Sequence, residues 1–327
     1  MPRAGLQRIE ISVVVPLFDE QENLAELHRR LTAVLDAIDV NAEILLIDDG
    51  SRDNTALLIE ALYARDARVV PLSLSRNFGH QAAVTAGIDR ARGEAVVVMD
   101  ADLQDPPELI PDLIHSWRDG NDVVYAVRRK RRESFPKRFA YAVFYRLLSK
   151  LGDHEIPQDA GDFCLMDRRV VEAMRSLPEH VRFVRGLRAF VGFRQVGLPY
   201  DRPARAAGKS KYTFAKLTRL AIDGLVSFSG QPLRLVTYLG ITTATIALGM
   251  TVWVVVDAAT SRTAPRGWAS LVIVVLFMGS VQLLSLGIIG EYIRLIFLET
   301  KGRPSYIVRE PKDVHEVKIR SIVRKAS

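Results

Sequence analysis

The sequence predicts an α/β fold: a mostly parallel sheet with helices on both faces, followed by an amphipathic interfacial helix and two transmembrane helices. Three observations carry this. Short β-branched runs alternate with helix-like segments through the first third of the chain. Acidic residues gather where those runs end. Two stretches, Leu235 to Val256 and Trp268 to Gly290, hold no charged residue, and at about 1.5 Å per residue each covers the roughly 30 Å hydrocarbon core of a bilayer. The expected organisation is a catalytic-type domain over 1–212, an amphipathic juxtamembrane helix over 213–232, spans near 233–257 and 268–292 within 233–298, and a basic tail over 299–327.

Taken in order, Ile11 to Pro16 reads as a buried strand, with a helix opening near Glu22. Ala42 to Asp48 is the next strand and Asp53 to Ala64 the next helix. The alternation continues through Val69 to Leu74, Gln81 to Ala91, Ala95 to Met99, Pro107 to Gly120 and Asp122 to Ala126. Continuous β-branched strands separated by helices imply a sheet buried on both faces. A helix over Phe135 to Leu151, a short strand over Phe163 to Met166, a helix over Arg169 to Leu177 and a basic loop over Asp201 to Tyr212 follow. Phe214, Leu217, Ala221, Leu225 and Phe228 then recur at helical spacing, with Lys216, Arg219 and Asp223 on another face. That pattern suits a helix lying in a membrane interface.

Composition narrows the classes. Of 327 residues 48% are hydrophobic, and the net charge is +7. Basic residues crowd the segments before the first uncharged stretch and after the second, whereas the loop between them holds only Arg262 and Arg266. The asymmetry predicts a multi-pass protein of the inner (plasma) membrane with both termini cytoplasmic. It also assigns the positive charge to anionic lipid rather than nucleic acid, since no aromatic-interleaved basic surface accompanies it. Met1 to Glu10 lacks an apolar core, so no secretory signal is expected. The single cysteine, Cys164, excludes an internal disulfide and a cysteine metal cluster. Gly279, Gly287 and Gly290 would permit close helix packing, and a homo-oligomer is expected.

The chemistry concentrates at strand ends, where such sheets bind ligands. Asp100, Asp102, Gln104 and Asp105 place four oxygen-bearing side chains within six residues. Hard cations such as Mg²⁺ or Mn²⁺ take such ligands and complete their shell with substrate phosphates. Asp105 is also expected to cap the helix that begins at Pro106-Pro107. Asp48, Asp49, Gly50 and Ser51 form a second cluster, in which Ser51 or Asp53 would cap the next helix. Glu20 is a third acidic candidate. No Gly-x-Gly-x-x-Gly follows the first strand, which disfavours a dinucleotide oxidoreductase.

Together, Val-Pro-Leu-Phe-Asp-Glu at 15–20, Asp-Asp-Gly-Ser at 48–51, Asn-Phe-Gly-His-Gln-Ala at 77–82 and Asp-Ala-Asp-Leu-Gln-Asp-Pro-Pro-Glu at 100–108 resemble family 2 glycosyltransferases with the Rossmann-like GT-A fold. The pattern Arg205-x-x-Gly208-x-Ser210-Lys211-Tyr212 and the C-terminal pair of spans are similar to the narrower group of polyprenyl-phosphate glycosyltransferases, which includes the bactoprenol glucosyltransferases and dolichyl-phosphate mannose synthase. The resemblance implies that Pro16, Glu20 and Asp49 line a nucleoside pocket and that Asp100 lies against nucleotide and metal. It implies Asp102 and Gln104 as direct metal ligands, Asp162 as an acidic residue near the acceptor, and Arg128, Arg205, Ser210 and Lys211 as phosphate-binding residues. His80 lies in the turn beside the nucleotide. The implied reaction is inverting transfer of a hexose, most simply from UDP-glucose, to polyprenyl (undecaprenyl) phosphate, which supplies a lipid-linked sugar for cell-envelope glycan modification. Asp102 and Asp162 are the catalytic candidates, and GDP-mannose and UDP-N-acetylglucosamine are alternative donors. A processive polysaccharide synthase is disfavoured because no Gln-x-x-Arg-Trp motif is present. An inactive membrane scaffold on the same fold is the alternative outside enzymes.

Overall fold

Uninterrupted apolar runs become central strands because both faces of the sheet are covered. The computed structural model describes residues 8–128, 160–180, 182–200, 231–261 and 267–309. The expected helix over 135–151, the loop over 201–212 with Arg205, Ser210 and Lys211, and residues 213–230 of the amphipathic segment lie outside the described residues.

Among the described residues seven strands form one sheet: β1 (Ile11–Leu17), β2 (Ala42–Asp48), β3 (Val69–Ser73), β4 (Ala95–Val98), β5 (Val123–Arg128), β6 (Ala160–Asp167) and β7 (Gln195–Tyr200), in the order β3-β2-β1-β4-β6-β5-β7. β1 pairs in parallel with β2 and β4, β2 with β3, and β5 with β7. β6 runs antiparallel to both of its neighbours, β4 and β5. It begins at Ala160, three residues before the strand expected from sequence, because pairing continues past a register shift to Val127 opposite Ala160. Asp162 therefore sits inside a strand.

Along β1 the side chains alternate between two cores. Ile11, Val13, Val15 and Leu17 join the cluster that includes Leu24, Leu27, Leu31 and Leu35 of α1 (Leu24–Ile38) and Ile110, Leu113 and Ile114 of α4 (Ile110–Arg118). The leucines recur at three- and four-residue intervals, which places them on one face of a 3.6-residue helix. Val14 points the other way, against α3 (His80–Arg90). There a Cβ on Gly87 would stand 2.2 Å from Val14 Cγ1, so the glycine sets how closely α3 approaches the sheet. α2 (Thr55–Tyr63), α5 (Arg168–Ser176) and α6 (Val184–Phe190) complete the layers.

Two caps differ from expectation. Pro106, not Asp105, precedes the 3₁₀ turn Pro107–Leu109. Asp105 is buried, 2% exposed, and its Oδ1 accepts from Tyr200 Oη at 2.9 Å. A carboxylate so enclosed is stabilised by a hydroxyl from a distant strand. At α2 the capping position is Asn54, while Asp53 Oδ1 accepts from Thr55 N and Ser51 Oγ accepts from Asp19 N.

Among the described residues, the second unit holds two long helices in contact, α7 (Gln231–Ser261) and α8 (Trp268–Thr300). Among the described residues one segment, Phe277–Thr300, is long and apolar enough to cross a membrane; α7 contains the shorter apolar stretch Val236–Met250. After α8 the chain joins the sheet domain. Val308 bridges Leu74 in antiparallel sense, Ile307 O accepts from Ser75 N at 2.8 Å, and Arg309 N donates to Ser73 O at 2.8 Å. Tyr306 Oη donates to Asp89 Oδ2 at 2.9 Å. This part of the expected basic tail thus covers the edge strand β3, which would otherwise leave backbone groups unpaired.

Candidate active site at the reversal of strand order

Strand order runs outward from β1 to β2 and β3 on one side and restarts at β4 on the other. In an open α/β sheet the crevice beyond the carboxyl ends at such a reversal is where ligands bind. The loops leaving β1, β2 and β4 all open there.

The first two loops hold each other. Asp19, at φ 53°, accepts Arg52 N on Oδ1 at 2.7 Å and donates its own N–H to Ser51 Oγ. Glu20 N donates to Thr55 Oγ1 at 2.9 Å, and Glu20 Oε2 accepts from Asn23 Nδ2 at 2.7 Å. Pro16 is buried inside β1 beside Ile47. Asp48 Oδ1 accepts from Ser51 N, closing the turn after β2.

Asp49 reaches across to the segment before α3. Its Oδ1 accepts from Phe78 N at 2.7 Å and its Oδ2 from Gly79 N at 2.9 Å. Burial pushes the Asp49 carboxyl above its ordinary value, while these two amides pull against that shift. Gly50, at φ 70°, completes the contact: a Cβ there would lie 2.6 Å from Arg76 C and 2.7 Å from Asn77 N. Only glycine combines that backbone angle with so close an approach. The segment Arg76 to Gly79 is therefore held by Asp49 and Gly50 together.

The third loop carries Asp100, Asp102 and Gln104. Asp102 is 8% exposed and its Oδ1 accepts from Gln104 N at 3.1 Å. Leu103 is buried at φ 59°, a left-handed conformation uncommon for a bulky residue and often found at functional sites. Asp100 has a partly exposed side chain 3.7 Å from His80 Nε2. The β4–β6 pairing ends at Val98 opposite Cys164, which brings the loop after β4 alongside the first residues of β6. Asp162 Oδ2 is 3.3 Å from the same His80 nitrogen, and Asp162 is gripped at both oxygens by Arg185, Nε to Oδ1 at 2.6 Å and Nη2 to Oδ2 at 3.0 Å.

These groups shape one another's charge. Burial pushes the Asp100 carboxyl up to about 7; His80 opposes the shift, and Asp105, Asp162 and Asp102 add to it. Burial also resists ionisation of Asp162, but Arg185 and His80 outweigh it and hold that carboxyl well below the usual range. His80, despite its burial, is raised to about 9 by Asp162 and Asp100.

Among the described residues no three His, Cys, Asp or Glu side chains converge as a self-sufficient metal site. The donor set nevertheless suits a hard cation completed by substrate phosphates. Asp100 and Asp102 carry the carboxylate oxygens, and Gln104 the amide oxygen, that such a cation takes.

Sequence reasoning brought Asp49, Asp100, Asp102, Gln104 and Asp162 to notice, and the structure sets Asp100 beside Asp162 through His80. Arg128 ends β5 opposite Tyr200 of β7. Arg185 was missed. It belongs to no acidic cluster or strand-end motif, and only the docking of α6 reveals its partner.

A sheet reversal lined by three strand-end acidic loops, with β6 antiparallel between β4 and β5, is a GT-A-like scaffold, and the family match makes the chain a glycosyltransferase on it. The chain belongs to glycosyl transferase family 2, whose domain matches residues 12–175, and residues 231–296 match the GtrB C-terminal hairpin. It is 46% identical to the uncharacterized glycosyltransferase YkcC of Bacillus subtilis (strain 168), over 93% of this chain and 94% of that one. It is 41% identical to the bactoprenol glucosyl transferase of Shigella phage SfV, over 93% and 99%. A structure of glucosyl-3-phosphoglycerate synthase from Mycobacterium tuberculosis, in complex with Mn²⁺, UDP and glucosyl-3-phosphoglycerate, superposes with a TM-score of 0.50 at 22% identity, covering 70% of this chain and 86% of that chain. That likeness concerns the fold.

Proposed function

We propose that this glycosyltransferase moves glucose from UDP-glucose to a polyprenyl phosphate at the cytoplasmic face of the membrane, with inversion at the anomeric carbon. The observation that carries the reading is the His80 imidazole set between Asp162 and Asp100 at the strand reversal, beside the loop that also carries Asp102. The whole-length similarity to a bactoprenol glucosyl transferase supports the acceptor class and the sugar.

In this reading Asp49, Gly50 and Glu20 shape the nucleoside side of the crevice. Asp100, Asp102 and Gln104 would hold Mg²⁺ or Mn²⁺; the bound cation would supply Lewis-acid neutralisation of the departing nucleoside diphosphate. The acceptor phosphate, with a second pKa of about 6, is largely a dianion at neutral pH and needs little deprotonation. A strongly ionised Asp162 is a weak base, which fits an orienting part better than proton abstraction. Arg128, Arg205, Ser210 and Lys211 are the proposed phosphate-gripping groups. The helices α7 and α8 form the membrane hairpin, with two spans and cytoplasmic termini, and a homo-oligomer is part of the proposal. Most of the acceleration would come from positioning and fixed positive charge.

The test offers purified protein, undecaprenyl phosphate and Mg²⁺ or Mn²⁺ a panel of UDP-glucose, GDP-mannose and UDP-N-acetylglucosamine, and weighs the glycolipid by mass spectrometry. A hexose adduct formed from UDP-glucose is expected. Product from another donor alone reassigns the sugar, and no glycolipid from any donor rejects the reading.

A further inference from the structure

Arg185 has no part in the mechanism above, yet its guanidinium is the main partner of Asp162. The contact is a two-pronged one, Nε to Oδ1 and Nη2 to Oδ2, the geometry in which Arg and carboxylate pair most specifically. The Asp162 side chain is only 7% exposed and that of Arg185 29%. A carboxylate withdrawn this far from water needs a fixed cation to stay ionised.

The helix bearing Arg185 is itself tethered to the site. Val184 N, in its first turn, donates to Gln81 Oε1 at 2.9 Å. Gln81 adjoins His80, whose Nε2 approaches both Asp162 and Asp100. The first turns of α3 and α6 thus meet over one carboxylate. One turn further along α6, Arg188 is 2% exposed and lies 5.1 Å from the Tyr125 ring centroid, against Cys164, two residues along β6 from Asp162. This second arginine packs α6 onto β5 and β6.

We infer that Arg185 is a positioning residue for sugar transfer: it fixes the Asp162 carboxylate, and through it His80, beside Asp100 at the mouth of the crevice. The inference rests on the transfer reading given above. A carboxylate held at both oxygens cannot swing, so the imidazole leaning on it keeps one orientation. Lysine would preserve the charge but supply a single point of contact in place of two parallel N–H groups. A plain structural ion pair would instead show its loss in stability alone.

The experiment uses the full-length protein in detergent or vesicles with UDP-glucose and undecaprenyl phosphate. It compares wild type, Arg185→Lys, Arg185→Gln, Asp162→Asn and the Arg185→Gln/Asp162→Asn double variant for kcat, donor KM and melting temperature. Arg185→Gln is expected to lower kcat about 100-fold, with donor KM within about threefold of wild type. Arg185→Lys should melt like wild type and recover less than about tenfold of that loss. In the Asp162→Asn background, Arg185→Gln should change kcat by less than about threefold, because a residue acting through Asp162 has nothing left to position. Should Arg185→Gln fail to fold, Arg185→Lys decides: lowered kcat at a normal melting temperature supports the inference, and a wild-type rate overturns it. Full, additive loss in the double variant also overturns it. An inactive wild type would instead condemn the transfer reading, independently of Arg185.

Discussion

Asp49 and Phe78 lie 29 residues apart, yet Asp49 Oδ1 accepts the Phe78 backbone N–H at 2.7 Å, and Gly79 N binds the other carboxylate oxygen. The turn after β2 thereby fixes the segment leading to His80. Replacing Asp49 by Asn keeps the size but loses one acceptor. Donor KM is expected to rise about tenfold, equivalent to about 1.4 kcal/mol, with kcat less affected. Steady-state kinetics with varied UDP-glucose checks this; an unchanged KM would detach Asp49 from donor binding.

Asp102→Asn removes a charged oxygen from the proposed cation site, and turnover should drop by at least about 1,000-fold. Chelation by EDTA should have the same effect on wild type, reversed by added Mn²⁺ or Mg²⁺. Transfer that persists after exhaustive chelation and dialysis would remove the metal from the account.

Gly87→Ala should destabilise the sheet domain, since the new methyl would meet Val14 Cγ1 at 2.2 Å. Overpacking of this kind costs about 1–3 kcal/mol. Val14 is short and branched and cannot swing aside. Adding Val14→Ala to Gly87→Ala should give a double variant more stable than the sum of the two single losses predicts. Strict additivity in thermal or denaturant unfolding would show that α3 does not press on β1 at that point.

The C-terminal return offers a pH-dependent test. Burial, and then Asp89, push the Tyr306 phenol up to about 12. A raised folded-state value means that its contribution is complete below the ordinary value of about 10 and is lost as pH climbs toward 12. Tyr306→Phe should cost about 1 kcal/mol at neutral pH, and the gap from wild type should close between about pH 10 and 12. A gap that stays constant over that range would mean that the Tyr306–Asp89 bond contributes nothing.

Much of the scaffold was legible because buried parallel strands leave a strong mark: Ile11 to Leu17, Ala42 to Asp48 and Ala95 to Val98 are runs with almost no polar interruption. Helix α1 was readable from its leucine spacing. The acidic clusters were equally visible, since local motifs such as Asp100-x-Asp102 need no knowledge of distant partners. Asp105 shows where local reasoning failed. Its position before two prolines suggested a cap, whereas the deciding partner is Tyr200, 95 residues away.

The sequence by itself determined six of the seven strands, β7 excepted, and which strand ends would carry acid, because those depend on period, composition and neighbouring residues. Only the tertiary structure decided that β6 runs antiparallel, that His80 stands between Asp162 and Asp100, that α6 delivers Arg185 to the Asp162 carboxylate, and that the chain after α8 covers β3. These pairings join residues tens to hundreds of positions apart, and their choice depends on the shape complementarity of assembled elements, which no local pattern encodes.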